Sequence, residues 1–387
     1  MHVVYLIDSL IAGGAERSLA ALAPEYRKRG VQLEVAYLYE RDNVWIPAIE
    51  AAGVEVVSLA GGGGRAGLVR RTAGFVRARR PDICHTTLFD ADVIGRVASI
   101  GTGAKLVCSL VNAAYGPEQL ANPAVTPWRL RTVQLVDIVT ARRVRRFHAV
   151  SESVAASMAG RLKVRRDRID VIPRGRDPQE IGTRTPARRA AARRSLGVDD
   201  DAPLLLAVGR HEYQKGFDVL LDSFALVRRD RPATRLFIAG REGAESAKLR
   251  DRAAGLDLGE SVVFLGFRSD IPELLCAADV FVSASRWEGS PGGVIEAMAL
   301  ETPIVAGDIA PVREVLGDGA PAWLVAPAEP GGFAVAVGAA LDDDEASVRT
   351  AAARARFLDR YTIDRVADEM VRFYDRALGG RGSSVHG

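Results

Sequence analysis

What most constrains the fold of this 387-residue chain is a rhythm: short apolar runs rich in Val, Ile and Leu alternate with longer helical patterns from end to end. Parallel strands cannot be joined by a tight turn, so a strand, a crossover helix and a second strand form the unit from which parallel sheets are built. In the first half the strand-like runs fall near Val3 to Ile7, Leu33 to Leu38, Val54 to Leu59, Ile83 to His85, Leu106 to Leu110, Arg146 to Val150 and Ile169 to Ile172. In the second half they fall near Leu204 to Val208, Arg235 to Ala239, Val262 to Leu265, Val280 to Ser283, Ile304 to Ala306 and Trp323 to Val325. The pattern predicts an α/β chain of two doubly wound domains in series. With 48% hydrophobic and 26% charged residues the chain can fill two cores, which excludes disordered and fibrous classes.

The boundary is expected within Asp177 to Pro203, where proline, glycine and charge replace apolar periodicity and a short Ala/Arg helix follows. The expected domains are 1–178 and 179–360, with 361–387 a C-terminal helix crossing back and a flexible tail. Between Glu345 and Leu378, Phe357, Leu358, Tyr361, Val366, Met370, Phe373 and Tyr374 recur at roughly helical spacing, over a length too great for one crossover. Cys84, Cys108 and Cys276 are odd in number and form no CxxC, which removes a disulfide framework and a cysteine zinc site and fits a reducing compartment. No run of ~18 uncharged apolar residues occurs and no basic leader precedes the first strand, so the expectation is a cytoplasmic protein without signal peptide or membrane span. Residues 1–180 carry 26 basic and 18 acidic side chains, a net +8, and the remainder carries 26 and 31, a net −5. The basic half suits phosphate-bearing ligands or an anionic membrane surface, and solvated arginine faces explain it equally. Nucleic acid is not expected, because the cations are not interleaved with exposed aromatics.

Three stretches carry chemistry. After Asp8 ends the first strand, Gly13 and Gly14 open a helix, a turn through which backbone N–H groups approach an anion. Its spacing is not GxGxxG, which disfavours an NAD-dependent dehydrogenase. The first strand of the second half runs into Gly209, Arg210, then Lys215 and Gly216, putting two cations at the carboxyl edge of a parallel sheet, where a pyrophosphate finds both charge and donors. No GxxxxGK[ST] occurs, so Lys215 is not a P-loop lysine. Finally, Ser285 to Ala299 follows a buried strand: Glu288, a loop of Gly289, Ser290, Pro291, Gly292 and Gly293, then Glu296 eight positions beyond the first glutamate. A helix starting near Gly292 turns free N–H groups toward a phosphate, while the carboxylates suit ribose or hexose hydroxyls. Plain turns, solvated loops and surface charges are the alternatives.

At these residues the chain resembles the family 4 glycosyltransferases of the GT-B fold. The E-x7-E motif appears as Glu288 to Glu296, GR…KG as Gly209, Arg210, Lys215 and Gly216, and GGAE as Gly13 to Glu16. HAVS at His148 to Ser151, IPRGRD at Ile172 to Asp177, LGFRSDIPELLCAADVFV from Leu265 and TPIVA from Thr302 extend the resemblance over nearly the whole chain. At Arg174 the family more often has asparagine. The resemblance implies two Rossmann-like domains facing across a donor cleft, the first binding the acceptor and the second the nucleotide sugar. It gives Arg210 and Lys215 the donor pyrophosphate, Glu288 the transferred sugar, the segment Ser290, Pro291, Gly292, Gly293 and Val294 the backbone contacts to sugar and phosphate, and Glu296 the ribose. The base would lie near Phe267 and Arg268, and Gly13 and Gly14 would approach the donor phosphate. Where many relatives carry a histidine after the fifth strand, this chain has Ser109 to Asn112, and Asn112 cannot act as a base. His85 is the nearest polar candidate on the acceptor side, with a satisfied structural histidine the equal alternative.

The implied activity is retaining transfer of a hexose-type sugar from a nucleotide diphosphate sugar, UDP ahead of GDP, to a glycan, glycolipid, polysaccharide or small-molecule acceptor. Retention is implied by the resemblance, although no paired carboxylates mark a double displacement. No cofactor and no metal are expected, and Asp342 to Asp344 read as a polar turn rather than a DxD site. A catalytically silent GT-B binding subunit and a nucleotide-sugar epimerase or hydrolase are the alternatives. Trp128 to Arg146 fits either an interfacial helix on the inner face of an anionic membrane or a sheet-packed helix with exposed arginines.

Overall fold

Each apolar run becomes a strand in the computed structural model, which describes residues 1–319 and 321–379. The first sheet holds β1 (His2–Ile7), β2 (Gln32–Tyr37), β3 (Glu55–Ser58), β4 (Ile83–Thr87), β5 (Lys105–Leu110), β6 (Arg146–Ala149) and β7 (Ile169–Val171), ordered β3-β2-β1-β4-β5-β6-β7. The second holds β8 (Leu204–Val208), β9 (Arg235–Ala239), β10 (Val262–Gly266), β11 (Val280–Ser283), β12 (Ile304–Gly307) and β13 (Trp323–Val325), ordered β10-β9-β8-β11-β12-β13. All neighbours are parallel, so every return crosses a face of the sheet and covers it. Alternate residues of β1 accordingly enter separate cores, Val4 and Leu6 on one face and Val3, Tyr5 and Ile7 on the other. In β8, Leu204 and Leu206 are divided in the same way from Leu205 and Ala207. Both are Rossmann-like sheets. Their strand order reverses between β1 and β4 and between β8 and β11, and those two seams organise the sites below.

The chain divides into two units, Met1–Gly175 together with the segment from Ile363, and Arg176–Thr362. The stretch read as linker and entry helix is an integral part of the second unit. Its helix Pro186–Ser195 is capped by the Thr185 side chain, which accepts from the Arg188 N–H. Arg193 is 1% exposed and donates to the Ala277 carbonyl at 2.9 Å and to Asp279 at 3.2 Å. Arginines that look solvated in sequence thus satisfy the carbonyl end of helix Ile271–Ala277.

The C-terminal helical stretch is two helices, Ala346–Arg360 and Ile363–Leu378, parted at Tyr361 and Thr362. The Arg176 N–H donates to the Tyr361 carbonyl at 2.8 Å, and Arg176 forms an isolated bridge with Thr362. The first of these helices buries Ala353 and Phe357 in the second unit, and the other buries Val366, Met370, Phe373, Tyr374 and Ala377 in the first. The expected tail, from 380 onward, lies outside the described residues. Among those described, no helix is long and apolar enough to cross a membrane.

Candidate functional site

Because β8 and β11 are neighbours, the loops that leave them meet at one sheet edge in the second unit. Arg286 fastens them: its guanidinium grips Asp218 at 2.9 and 2.7 Å, donates to the Tyr213 carbonyl at 2.8 Å and lies 4.1 Å over the Tyr213 ring. The Gln214 side chain donates to the Trp287 carbonyl at 2.8 Å, and the Arg286 N–H to the Gln214 carbonyl at 2.8 Å. On this frame Lys215 Nζ donates to Glu288 Oε1 at 2.5 Å, and Ser285 Oγ donates to the same oxygen at 2.7 Å. Two glycines make the approach possible. A Cβ on Gly209 would sit 3.0 to 3.1 Å from three methylene carbons of Lys215, and one on Gly216, at φ +64°, would collide with the Ala284 carbonyl oxygen.

The helix Gly292–Ala299 starts at this edge. Its Val294 and Ile295 N–H groups bond back to the Pro291 carbonyl, so the amides of Gly292 and Gly293 stand at a helix start with no intrahelical carbonyl to bond. Glu288 is 8% exposed and Glu296 only 1%, and Glu296 Oε1 accepts from Arg176 Nε at 2.6 Å. Arg176 also lies against Gly292, where a Cβ would come 2.8 Å from its Nη2. It is the site residue that sequence reasoning missed: it stood inside IPRGRD, but only the tertiary fold shows that it orients and neutralises Glu296. Ser290 Oγ, in a residue 5% exposed, has no hydrogen-bond partner among the described residues. A buried hydroxyl with no protein partner at a glycine-lined edge is open to a hydrogen bond from water or a ligand.

The remaining expected donor residues lie further out. The Arg210 side chain is 48% exposed, with Glu212 at 4.0 Å. Phe267 and Arg268 follow β10 at the far end of the sheet, Phe267 exposed and Arg268 turned onto Asp270 at 2.7 and 2.5 Å. His211 is buried between Phe217 and Phe264 with Nδ1 on Ser246 Oγ at 3.1 Å. In the acidic turn Asp342 is paired with Arg231 and Asp343 with Arg349.

In the first unit Gly13 and Gly14 occupy the turn after β1. A Cβ on Gly13 would strike the Glu16 carboxylate, and one on Gly14 the Arg174 guanidinium, so GGAE and IPRG converge on one turn. Asn112 lies in the loop after β5 with its Oδ1 accepting the Ala113 N–H at 3.0 Å. His85 does not end its strand: β4 continues through Thr87, and His85 is wholly buried. Its Nδ1 meets Tyr374 Oη at 2.7 Å and its Nε2 meets Ser109 Oγ at 2.8 Å, which in turn meets His148 Nδ1 at 2.8 Å. Burial holds both imidazoles below the usual range, His148 at about 4. With both neutral, the Ile172 carbonyl, 2.8 Å from His148 Nε2, sets the direction of the whole chain. It can only accept, so His148 carries its proton on Nε2, Ser109 donates to His148, His85 donates from Nε2, and Tyr374 donates to His85 Nδ1. That is the setting of a structural histidine.

Two doubly wound parallel units, one bearing a Lys–Glu pair beside a helix start, define an α/β protein of GT-B type. The family model for "Glycosyl transferases group 1" matches residues 188–356, and that for "Glycosyltransferase Family 4" matches residues 12–180. The lipopolysaccharide core biosynthesis mannosyltransferase LpsB of Rhizobium meliloti is 30% identical over 200 residues, 50% of this chain and 57% of that protein. The 2-deoxystreptamine N-acetyl-D-glucosaminyltransferase of Streptomyces fradiae is 27% identical over 325 residues, 79% of this chain and 74% of that one. This chain therefore spans little more than half the length of the first of these relatives. The crystal structure of Anabaena HepE in complex with UDP and glucose has the same fold, with a TM-score of 0.85 at 23% identity over 97% of this chain and 100% of that one. The chain belongs to the family 4 glycosyltransferases.

One carboxyl stands out at the seam of the first unit. Asp8 follows β1, and its Oδ1 accepts the Ala91 N–H at 2.7 Å, across the seam. Burial pushes its carboxyl up to about 7; the Ala91 N–H opposes the shift and Asp90 and Asp92 add to it. A carboxyl raised in the folded state binds its proton more tightly there than in the unfolded chain, so stability falls as pH rises from about 4 to about 7 and levels off above. Asp8→Asn keeps the acceptor oxygen and removes the charge. Its thermal midpoint is expected to exceed that of the parent at pH 8 and to match it near pH 4; an equal difference at both pH values would show that the ionisation is not responsible.

Proposed function

We propose that the protein transfers a hexose-type sugar from a nucleoside diphosphate sugar, preferentially a UDP-sugar, to a hydroxyl acceptor with retention of configuration and without metal. The observation that carries this reading is the convergence at one sheet edge of Lys215, Glu288, the unpartnered Ser290 hydroxyl and the start of helix Gly292–Ala299. Negative charge grows on the departing pyrophosphate as the bond from its oxygen to the anomeric carbon stretches. A cation and helix N–H groups fixed beforehand stabilise that charge without reorganising. Lys215, shared with Glu288 in the chain alone, and the more exposed Arg210 supply the positive charge. Glu288 accepts hydroxyls of the sugar, and Glu296, held by Arg176, orders the start of the helix and the ribose side of the site. The acceptor oxygen forms its bond on the face the phosphate leaves, and the acceptor proton passes to the leaving phosphate oxygen. Relatives named as a mannosyltransferase and an N-acetyl-D-glucosaminyltransferase, and the UDP and glucose of the HepE complex, support the substrate class.

The proposed setting is the cytoplasmic face of an anionic membrane, reached through helix Pro127–Ala141. Its inward face is mixed: Ala141 enters the core and Ile138 packs against it, while Asp137 accepts from Arg96 at 2.5 Å and from Tyr115 at 2.8 Å. The outward face is apolar, with Trp128 65%, Leu135 61% and Val139 55% exposed. These three are spaced by seven and four residues, nearly whole turns, so they form one stripe, and the exposed Arg131 and Arg142 flank it. Co-sedimentation with vesicles containing phosphatidylglycerol is expected to exceed that with phosphatidylcholine alone, to weaken with salt and to fall for Leu135→Glu. Indifference to lipid charge and salt would refute the contact.

Glu288→Ala and Lys215→Ala are each expected to lower turnover by about 10²- to 10³-fold, as losses of transition-state contacts do, with the fold retained. Nucleotide release from a panel of UDP-, GDP-, ADP- and TDP-sugars measures this, and parental rates in both variants would remove the site assignment. Proton NMR of the product is expected to show the donor's anomeric configuration, and an inverted product would exclude the proposed same-face route.

A further inference from the structure

In the chain alone Lys215 and Glu288 are each other's partners. Lys215 Nζ donates to Glu288 Oε1 at 2.5 Å and enters no other ion pair among the described residues. Its methylenes run against Gly209, where a Cβ would touch three of them, so the stem delivers the ammonium to one place. Ser285 Oγ donates to the same carboxylate oxygen at 2.7 Å. Glu288 Oε2 accepts no hydrogen bond from the protein among the described residues, so the carboxylate is held on one side and open on the other. Glu288 and Ser285 are both buried, which makes the neutralising charge of Lys215 matter more than it would in water.

One ammonium so placed has two anions to serve. Without a nucleotide it neutralises Glu288. A pyrophosphate at the start of helix Gly292–Ala299 draws on the same charge, and Glu288 then keeps in full only the neutral Ser285 hydroxyl. A buried carboxylate whose counter-charge is withdrawn is destabilised. That penalty falls unequally on two ligands that share every nucleotide contact. A nucleoside diphosphate sugar brings hydroxyls that donate to the open Oε2 and offset the loss. A free nucleoside diphosphate brings none to that point. Charge alone favours the free nucleotide, whose terminal phosphate is the more negative, and Glu288 opposes that preference. Arg210, with a half-exposed side chain and Glu212 at 4.0 Å, serves either ligand alike.

We infer that Glu288, by competing with the pyrophosphate for Lys215, distinguishes the sugar donor from the nucleotide left after transfer, and that Ser285 is the positioning residue that holds the carboxylate while the ammonium is shared. The inference rests on the donor reading proposed above and adds a reason for the spent nucleotide to leave: Glu288 reclaims Lys215. Calorimetric titration with UDP, GDP, ADP and TDP identifies the tightest of the four, which is carried with its glucose conjugate into the variants. Glu288→Gln keeps the shape and removes the charge, and is expected to tighten the free nucleotide about tenfold, the scale of a charge-assisted contact, while its glucose conjugate gains less. On the Lys215→Ala background, where Arg210 still meets the pyrophosphate, the same substitution should change nucleotide affinity by less than about twofold, because no ammonium is left to compete for. Ser285→Ala should weaken the free nucleotide about threefold, and Ser285→Thr, which restores the hydroxyl, should recover the parental value. Unchanged or weaker nucleotide binding by Glu288→Gln, or equal gains for nucleotide and conjugate, overturns the discrimination and leaves the donor reading intact. Equal tightening with and without Lys215 also overturns it, since direct repulsion between Glu288 and the pyrophosphate then accounts for the effect. Failure of the parent to bind any of the four nucleotides counts against the donor reading and removes the discrimination with it.

Discussion

A parallel sheet has to be covered on both faces, and that requirement shapes everything else in this protein. Each strand must be followed by a helix that returns across one face, and the helices can cover both faces only if the winding reverses direction once. At the reversal two adjacent strands send their following loops apart, leaving an edge that no crossover closes. The loops of Lys215 and Glu288 leave the two strands of one such seam, and Asp8 and Ala91 meet across the other. The backbone leaves room there for the chemistry proposed above.

The strands were legible in the sequence because double coverage writes them as unbroken apolar runs, each with only one plausible role. The seams follow from the strand order, which the structure supplies, whereas the glutamates, the lysine and the glycines were legible because close approach tolerates few residue types. What the sequence hid was the work of arginine. Arg176 on Glu296, Arg193 on the end of a helix, Arg71 on the glycine run Gly61 to Gly64 and Arg286 across two loops have roles that their neighbours in sequence do not reveal. Each finds its partners 9 to 120 residues away. A long side chain with five donors is placed by the tertiary fold, not by its neighbours in sequence. His85 is a parallel case: its chemistry invited a role at the reacting edge, whereas β4 runs two residues beyond it and closes it in.

The buried Arg176–Glu296 pair illustrates how stability and site geometry are joined. Removing one member of such a pair typically costs about 3–5 kcal/mol, because the other is left charged in a poor solvent. Its value here is positional: the carboxylate is fixed in the helix that starts at Gly292, and Arg176 follows the last strand of the first sheet at the point where the second unit begins. A change at Arg176 is therefore felt directly at the helix start.

The helix Ile363–Leu378 has a consequence for how the protein is made. It fills the core of the first unit with Met370, Phe373 and Tyr374 and supplies the hydroxyl that closes the hydrogen-bond chain through His85. Yet it leaves the ribosome only after all of Arg176–Thr362. During synthesis the first seven strands wait with only part of this face covered, by Leu19, Ala23 and Tyr26 of helix Gly14–Lys28, and with His85 lacking its donor, while the second unit is assembled behind them. The first unit is thus completed only after the second has been made, and until then its nascent form exposes the apolar patch that this helix covers.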